Sequence, residues 1–170
     1  MKAKGHSLWL MPIGNVYDKL SGLITRLAQE YKTPLFEPHV TLLGEAMQSD
    51  SDIFKRAEQL VSGQKPFPVT LRTVDYQDFY FRTLFVRADR TEPLLSLYNR
   101  AKDIFEMQDI PEYMPHLSLM YGNFPQLVKE KIISGIGIDQ LTEFTANSVH
   151  LFKTDGEANT WRRVKTFPLR

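Results

Sequence analysis

The chain has no cysteine among its 170 residues. That excludes disulfides, thiol chemistry and thiolate-bound zinc. Charge of one sign is also missing: 21 lysines and arginines face 20 acidic residues, leaving a formal +1. Long nucleic acid usually needs a clearly basic face, so no long nucleic-acid partner is expected. Near neutrality is compatible with a small anion held by a few groups. Long apolar runs are absent too. Residues 1–15 carry two lysines and a short apolar stretch broken by Pro12, too little for a signal-peptide core or a membrane span. No membrane partner is expected, and the cytoplasm is the expected location. No glycine-rich phosphate loop follows a strand-like run. Nor is there a His-Glu-x-x-His or a carboxylate cluster, so neither a metal nor another cofactor is signalled.

Histidine is scarce, with four in the chain, and two of them share one context. Pro38-His39-Val40-Thr41-Leu42-Leu43 and Pro115-His116-Leu117-Ser118-Leu119-Met120 both read Pro-His-apolar-hydroxyl-apolar-apolar, and Gly44 and Gly122 close them. From ordinary proline, serine and threonine usage, one histidine meets both conditions by accident on the order of once in a hundred times. A single such motif is best read as a structural histidine. Duplication with the hydroxyl at the same offset reverses that weighting and points to one bipartite site.

The rest of the chain repeats around these segments. Residues 8–11 read as a buried strand, and Val16, Leu20, Leu23, Ile24, Leu27 and Tyr31 recur at helical spacing up to about Lys32. The first His strand is expected to end at Gly44. Ile53, Phe54, Ala57, Leu60 and Val61 mark a second helix with Ser49 or Asp50 as cap. Strands follow over 69–76 and 80–88. A third helix (Leu94, Tyr98, Ala101, Phe105), the second His strand and a fourth helix (Leu127, Val128, Ile132, Ile133) closed by Gly135 and Gly137 come next. Strands over 144–153 and 161–167 flank a turn at Asp155-Gly156.

Each half therefore reads strand, helix, His strand, helix, strand. Trp9 precedes His39 by 30 residues and Phe85 precedes His116 by 31. The expected class is α+β: two pseudo-symmetric lobes of mainly antiparallel sheet with helices outside. One bilobal domain would cover residues 1–170, with halves of roughly 1–78 and 79–170. A monomer is expected.

Residues two apart on a strand share a face, roughly 6.6 Å apart. His39 and Thr41 therefore face one way and Val40 and Leu42 the other, and the same holds for His116 and Ser118 against Leu117 and Leu119. Two imidazoles across a gap lined by two hydroxyls suit phosphodiester cleavage. One neutral ring takes a proton from water, and the other, protonated, gives one to the departing oxygen. Thr41 and Ser118 would hold the non-bridging oxygens. Which histidine is base and which is acid stays open. His6 and His150 lack the motif and read as surface or strand residues. Glu45, Asp75, Asp78 and Glu112 read as solvated charges, and Phe79-Tyr80-Phe81 as core that could leave one ring in the cleft. Arg82, Arg87 and Lys153 are candidates to approach a phosphate.

At these residues the sequence resembles the 2H phosphoesterase superfamily, and within it the plant-type cyclic phosphodiesterases. The likeness is carried by both His segments, the opening Ser7-Leu8-Trp9-Leu10-Met11-Pro12, the run Phe79-Tyr80-Phe81 and the late Leu151-Phe152-Lys153-Thr154-Asp155. The resemblance implies a water-filled cleft between two lobes and metal-independent hydrolysis of small cyclic phosphates. These are nucleoside 2′,3′-cyclic phosphates, giving 2′-phosphates, and ADP-ribose 1″,2″-cyclic phosphate, giving ADP-ribose 1″-phosphate. It implies His39 and His116 as the acid–base pair and Thr41 and Ser118 as phosphate holders. Tyr121 would contact phosphate or water, and Trp9 and Phe81 would border the base pocket. Tyr121 lies five residues after His116, so a regular strand would turn it away. Either the strand bends near Met120, as Gly122 permits, or Tyr121 is core. The alternatives are a 2H enzyme acting on RNA ends or 2′-5′ linkages, and a binding module without turnover.

Overall fold

The structure is a computed structural model and describes residues 1–136 and 142–170. Gly137, expected to help close the fourth helix, lies outside the described residues. In chain order the elements are β1 His6–Leu10, α1 Gly14–Tyr31, β2 Val40–Ala46, α2 Asp50–Val61, β3 Phe67–Asp75 and β4 Leu84–Ala88. There follow α3 Glu92–Ile104, β5 His116–Met120, α4 Gln126–Ile136, β6 Thr142–Ala146, β7 Ser148–Lys153 and β8 Arg162–Pro168.

Local chemistry explains the helix ends. α1 stops where Lys32 turns left-handed at φ 56° and its N–H bonds the Ala28 carbonyl. α2 starts at Ser49, whose hydroxyl accepts from the Asp52 N–H, with Asp50 and Asp52 in the positively polarised first turn. The apolar stripes found by periodicity are the buried ones: Leu20, Ile24 and Leu27 on α1, Ile53, Ala57 and Leu60 on α2, Leu94, Tyr98 and Ala101 on α3.

The described strands form one sheet in the order β6-β3-β4-β5-β2-β1-β7-β8, every pairing antiparallel. The two His strands are central, joined through the pair Val40↔Leu117. Four strands lie on either side of that seam. β3 leaves the first His strand's side to pair with β4, and β7 crosses back to pair with β1. β3 from the first half and β7 from the second are thus each built into the other side, which ties the two sides together covalently and through hydrogen bonds. Val40, Leu42, Leu117 and Leu119 enter the core under the helices.

Several boundaries differ from expectation. β2 continues past Gly44 to Ala46, with Glu45 at φ 55° and a register shift against β1 that lets the strand carry an extra residue. The aromatic run 79–81 is no strand: it enters a 3-10 turn, Tyr80–Arg82, and β4 begins only at Leu84. Thr83 holds that turn by donating to the carbonyls of Tyr80 and Gly122. The single strand expected over 144–153 is two, β6 and β7, on opposite sides of the sheet. Continuous β-propensity hid the break at Asn147, because propensity is blind to which partner strand is available. His6 and His150 both lie in strands and are buried, His6 beside Asp50 at 3.4 Å and His150 against the Thr166 hydroxyl at 3.1 Å.

Candidate active site

The antiparallel seam sets the site. Partner numbers run in opposite directions along such a ladder, so Val40↔Leu117 puts His39 beside Ser118 and Thr41 beside His116. Each imidazole therefore stands next to the hydroxyl of the other motif. The outer neighbours repeat the rule: Trp9 of β1 pairs with Thr41, and Phe85 of β4 pairs with Ser118. The near-equal offsets of the two aromatics from their histidines follow from this arrangement. Trp9 stacks on His39 at 3.6 Å and 9°, and Phe85 meets His116 edge-on at 5.1 Å.

Both imidazoles are held alike. His39 Nδ1 lies 2.6 Å from the Glu37 carbonyl, and His116 Nδ1 lies 2.7 Å from the Met114 carbonyl. A carbonyl only accepts, so Nδ1 carries the hydrogen in each ring and Nε2 is the nitrogen left to take or give a proton. The acceptor is two residues upstream in both motifs, and the intervening prolines, Pro38 and Pro115, have fixed φ that restricts the turn bringing it there. This gives the proline of each motif a physical purpose.

Both histidines, Thr41 and Ser118 line one cavity of about 340 Å³. So do Trp9, Phe81 and Tyr121, and all seven residues singled out from the sequence meet there. Tyr121 follows directly on the end of β5, where Gly122 sits at φ 145°; the chain bends, and Tyr121 lines the cavity while remaining buried in the core cluster. Phe36 covers its ring at 3.9 Å. Ser118 Oγ donates to the Phe81 carbonyl at 3.1 Å. Trp9 has one neighbour at 3.6 Å, His39, and another at 3.8 Å, Phe152, both stacked. Two rings that close to one centroid must lie on opposite faces, so Trp9 presents only its edge to the cavity and has no face left for a nucleobase.

Of the basic candidates, Arg82 lines the cavity. Arg87 is next to His116 in register but is ion-paired with Asp75 at 2.7 Å, and Lys153 lies toward Asp155 at 3.9 Å; neither lines it. The acidic residues are also more engaged than expected. Asp75 holds Arg87, Asp78 holds Lys129, Glu112 holds Arg90, and Glu45 reaches the cavity rim. Phe79 is exposed at the cavity edge instead of being core. Trp161, absent from the motifs, also lines the cavity and touches Trp9, Phe81 and Tyr121 edge-on or tilted at about 6 Å. Tyr113 was missed as well: its hydroxyl donates to the Thr41 carbonyl at 3.0 Å, tying the second motif's approach to the first motif's strand.

Burial dominates the electrostatics. His39 is pulled down to about 3, first by desolvation and then by the neighbouring His116, against the opposing bond to the Glu37 carbonyl. His116 is lowered by desolvation and by Arg82 and Arg87. Burial raises the Tyr121 phenol, which stays protonated as a donor. An anionic phosphate between the rings favours the charged form of either imidazole, opposing the desolvation. Among the described residues, no group of three or more histidine, aspartate or glutamate side chains could hold a metal ion.

Comparison with known proteins gives consistent results. The family model for "cyclic phosphodiesterase-like protein" matches residues 4–169. A cyclic phosphodiesterase of Arabidopsis thaliana is 28% identical over 172 residues, covering 96% of this chain and 94% of that protein. A 2′,3′-cyclic-nucleotide 3′-phosphodiesterase of Phaeosphaeria nodorum is 24% identical over 189 residues, covering 94% and 96%. The apo crystal structure of E. coli LigT shares the fold, with a TM-score of 0.65 at 14% identity over 99% of both chains.

Proposed function

Because this chain belongs to the cyclic phosphodiesterase-like family of 2H phosphoesterases and is a hydrolase of cyclic phosphodiesters, we propose that it opens nucleoside 2′,3′-cyclic phosphates to nucleoside 2′-phosphates by two-histidine acid–base catalysis. ADP-ribose 1″,2″-cyclic phosphate, opened to ADP-ribose 1″-phosphate, is the second substrate of this reading. It presents the same vicinal five-membered diester.

The observation that carries the proposal is the matched pair of imidazoles. Each has Nδ1 tied to the carbonyl two residues back, and both line one cavity. Water attacks phosphorus while one Nε2 takes its proton. The phosphorus–O3′ bond breaks, and the other Nε2–H protonates the leaving oxygen. The 2′-phosphate remains, and the two rings exchange protonation states that solvent resets. Thr41 and, once its hydroxyl turns from the Phe81 carbonyl, Ser118 donate to the non-bridging oxygens, each beside the opposite imidazole, and Arg82 offsets the charge that grows on them. Phe81 and Trp161 have ring surface available for a base, whereas Trp9 does not.

The test is incubation with the four 2′,3′-cyclic mononucleotides in EDTA, resolving 2′- from 3′-phosphate. Turnover to the 2′-phosphate is expected. Activity confined to oligonucleotide ends, or saturable binding without product, would overturn the substrate assignment and the enzymatic reading respectively.

A further inference from the structure

Lys129 is a lysine that the chemistry above does not use, yet its side chain is 1% exposed on the inner face of α4. A buried ammonium must place its three N–H donors. Its partners are the Gln77 carbonyl at 3.3 Å, the Asp78 carboxylate, and the ring of Tyr76 with its centroid 5.0 Å away. All three come from residues 76–78, immediately ahead of the 3-10 turn Tyr80–Arg82. None of the three residues in that turn is fully buried, so packing alone does not fix it. Behind it, the Gly122 N–H donates to the Tyr80 carbonyl at 3.0 Å. In front, Phe79, Phe81 and Arg82 form one lip of the catalytic cavity. The Arg82 guanidinium lies 4.8 Å over the Phe79 ring, so the lip is held as a unit.

We propose that Lys129 and Asp78 are positioning residues that lock this lip and thereby set nucleotide affinity, although neither lines the cavity. The proposal builds on the cyclic-nucleotide reading of the site. Its unusual consequence concerns Asp78, whose side chain is 91% exposed. An exposed ion pair normally contributes little, but here its partner is a buried cation that cannot stay buried unpaired. Removing the surface carboxylate therefore releases the segment ahead of the lip.

The experiment compares wild type with Asp78→Asn, which leaves no core cavity, and with Lys129→Met, which keeps the apolar stem. Steady-state kinetics with 2′,3′-cyclic AMP should show KM raised about tenfold or more with kcat within about fivefold. Inhibition by inorganic phosphate, which meets both histidines, Thr41 and Ser118 on the floor and only Arg82 of the lip, should weaken by less than about threefold, well short of the rise in KM. Trypsin should cleave after Arg82 at least fivefold faster in both variants, a readout independent of turnover. Unchanged KM and unchanged cleavage in Asp78→Asn would overturn the lock. So would a parallel loss of phosphate affinity and kcat, which marks general damage. If wild type turned over no cyclic nucleotide, the functional reading would fall while the cleavage at Arg82 still decided the lock.

Discussion

Acidification should destabilise this protein, and His39 should account for a defined part of the loss. The free imidazole titrates at 6.5, whereas burial under Trp9 and the neighbouring His116 lower the folded His39 to about 3. A folded value below the unfolded one means that the contribution is whole above 6.5 and is lost as pH falls through the window down to 3. At pH 8 neither state holds the proton. At pH 5 the unfolded chain holds it and the native ring does not, which costs about 2 kcal/mol from this one group. The figure barely depends on where the folded value lies below 4, because the native ring is already almost wholly neutral at pH 5. His39→Gln keeps an amide donor for the Glu37 carbonyl and removes the titration. Urea unfolding at pH 8 and pH 5, in buffers free of phosphate, should show wild type losing about 2 kcal/mol more than His39→Gln. His116 and His150 are also depressed and add losses of their own, but these are common to both proteins and cancel in the comparison. Equal losses in the two proteins would refute the claim that His39 is buried neutral.

The other predictions concern the site directly. His39→Ala and His116→Ala should each lose kcat/KM by at least about a hundredfold while remaining folded, and the wild-type profile should be bell-shaped in pH; a near-normal rate in either variant would break the pairing, with circular dichroism as the control for folding. Trp9→Phe should keep a stacked ring on His39 and most of the activity, whereas Trp9→Leu should lose the stack and cost about 3 kcal/mol in urea melts. Gly122→Ala should be destabilised by about 1–3 kcal/mol. The backbone there sits at φ 145° and an added Cβ would meet Phe124 at 2.5 Å, so thermal melts matching wild type would disprove the strained bend behind Tyr121.

Periodicity and motif spacing reached far into this fold because they report local physics. The helix stripes lie where 3.6-residue spacing placed them, and Val40 and Leu42 point away from His39 and Thr41 because strand side chains alternate. Tyr121 shows the limit of that reasoning. Strict alternation sends it into the core, and it is indeed buried there under Phe36, but the turn at Gly122 lets it line the cavity as well. The aromatic run 79–81 is core only in part, for a related reason: Tyr80 and Phe81 pack against the core while Phe79 is exposed. Its composition suits a strand, but Thr83 and Gly122 curl it into a lip, and those contacts are 39 residues apart in sequence. Asp78 read as a solvated charge because nothing near it in sequence discloses a buried lysine 51 residues later.

The amino-acid sequence alone determined which groups can do chemistry here: two histidines, each with a proline before it and a hydroxyl two residues on, repeated once. It also determined the helical and extended segments that carry them, because backbone preference and side-chain alternation act over a few residues. Tertiary structure alone decided that His39 stands beside Ser118 and His116 beside Thr41, that Trp9 gives both faces to the protein, and that a lysine on α4 holds the cavity's lip. Those relations depend on strand register and on burial from distant segments, and both arise only when the whole sheet closes around its seam.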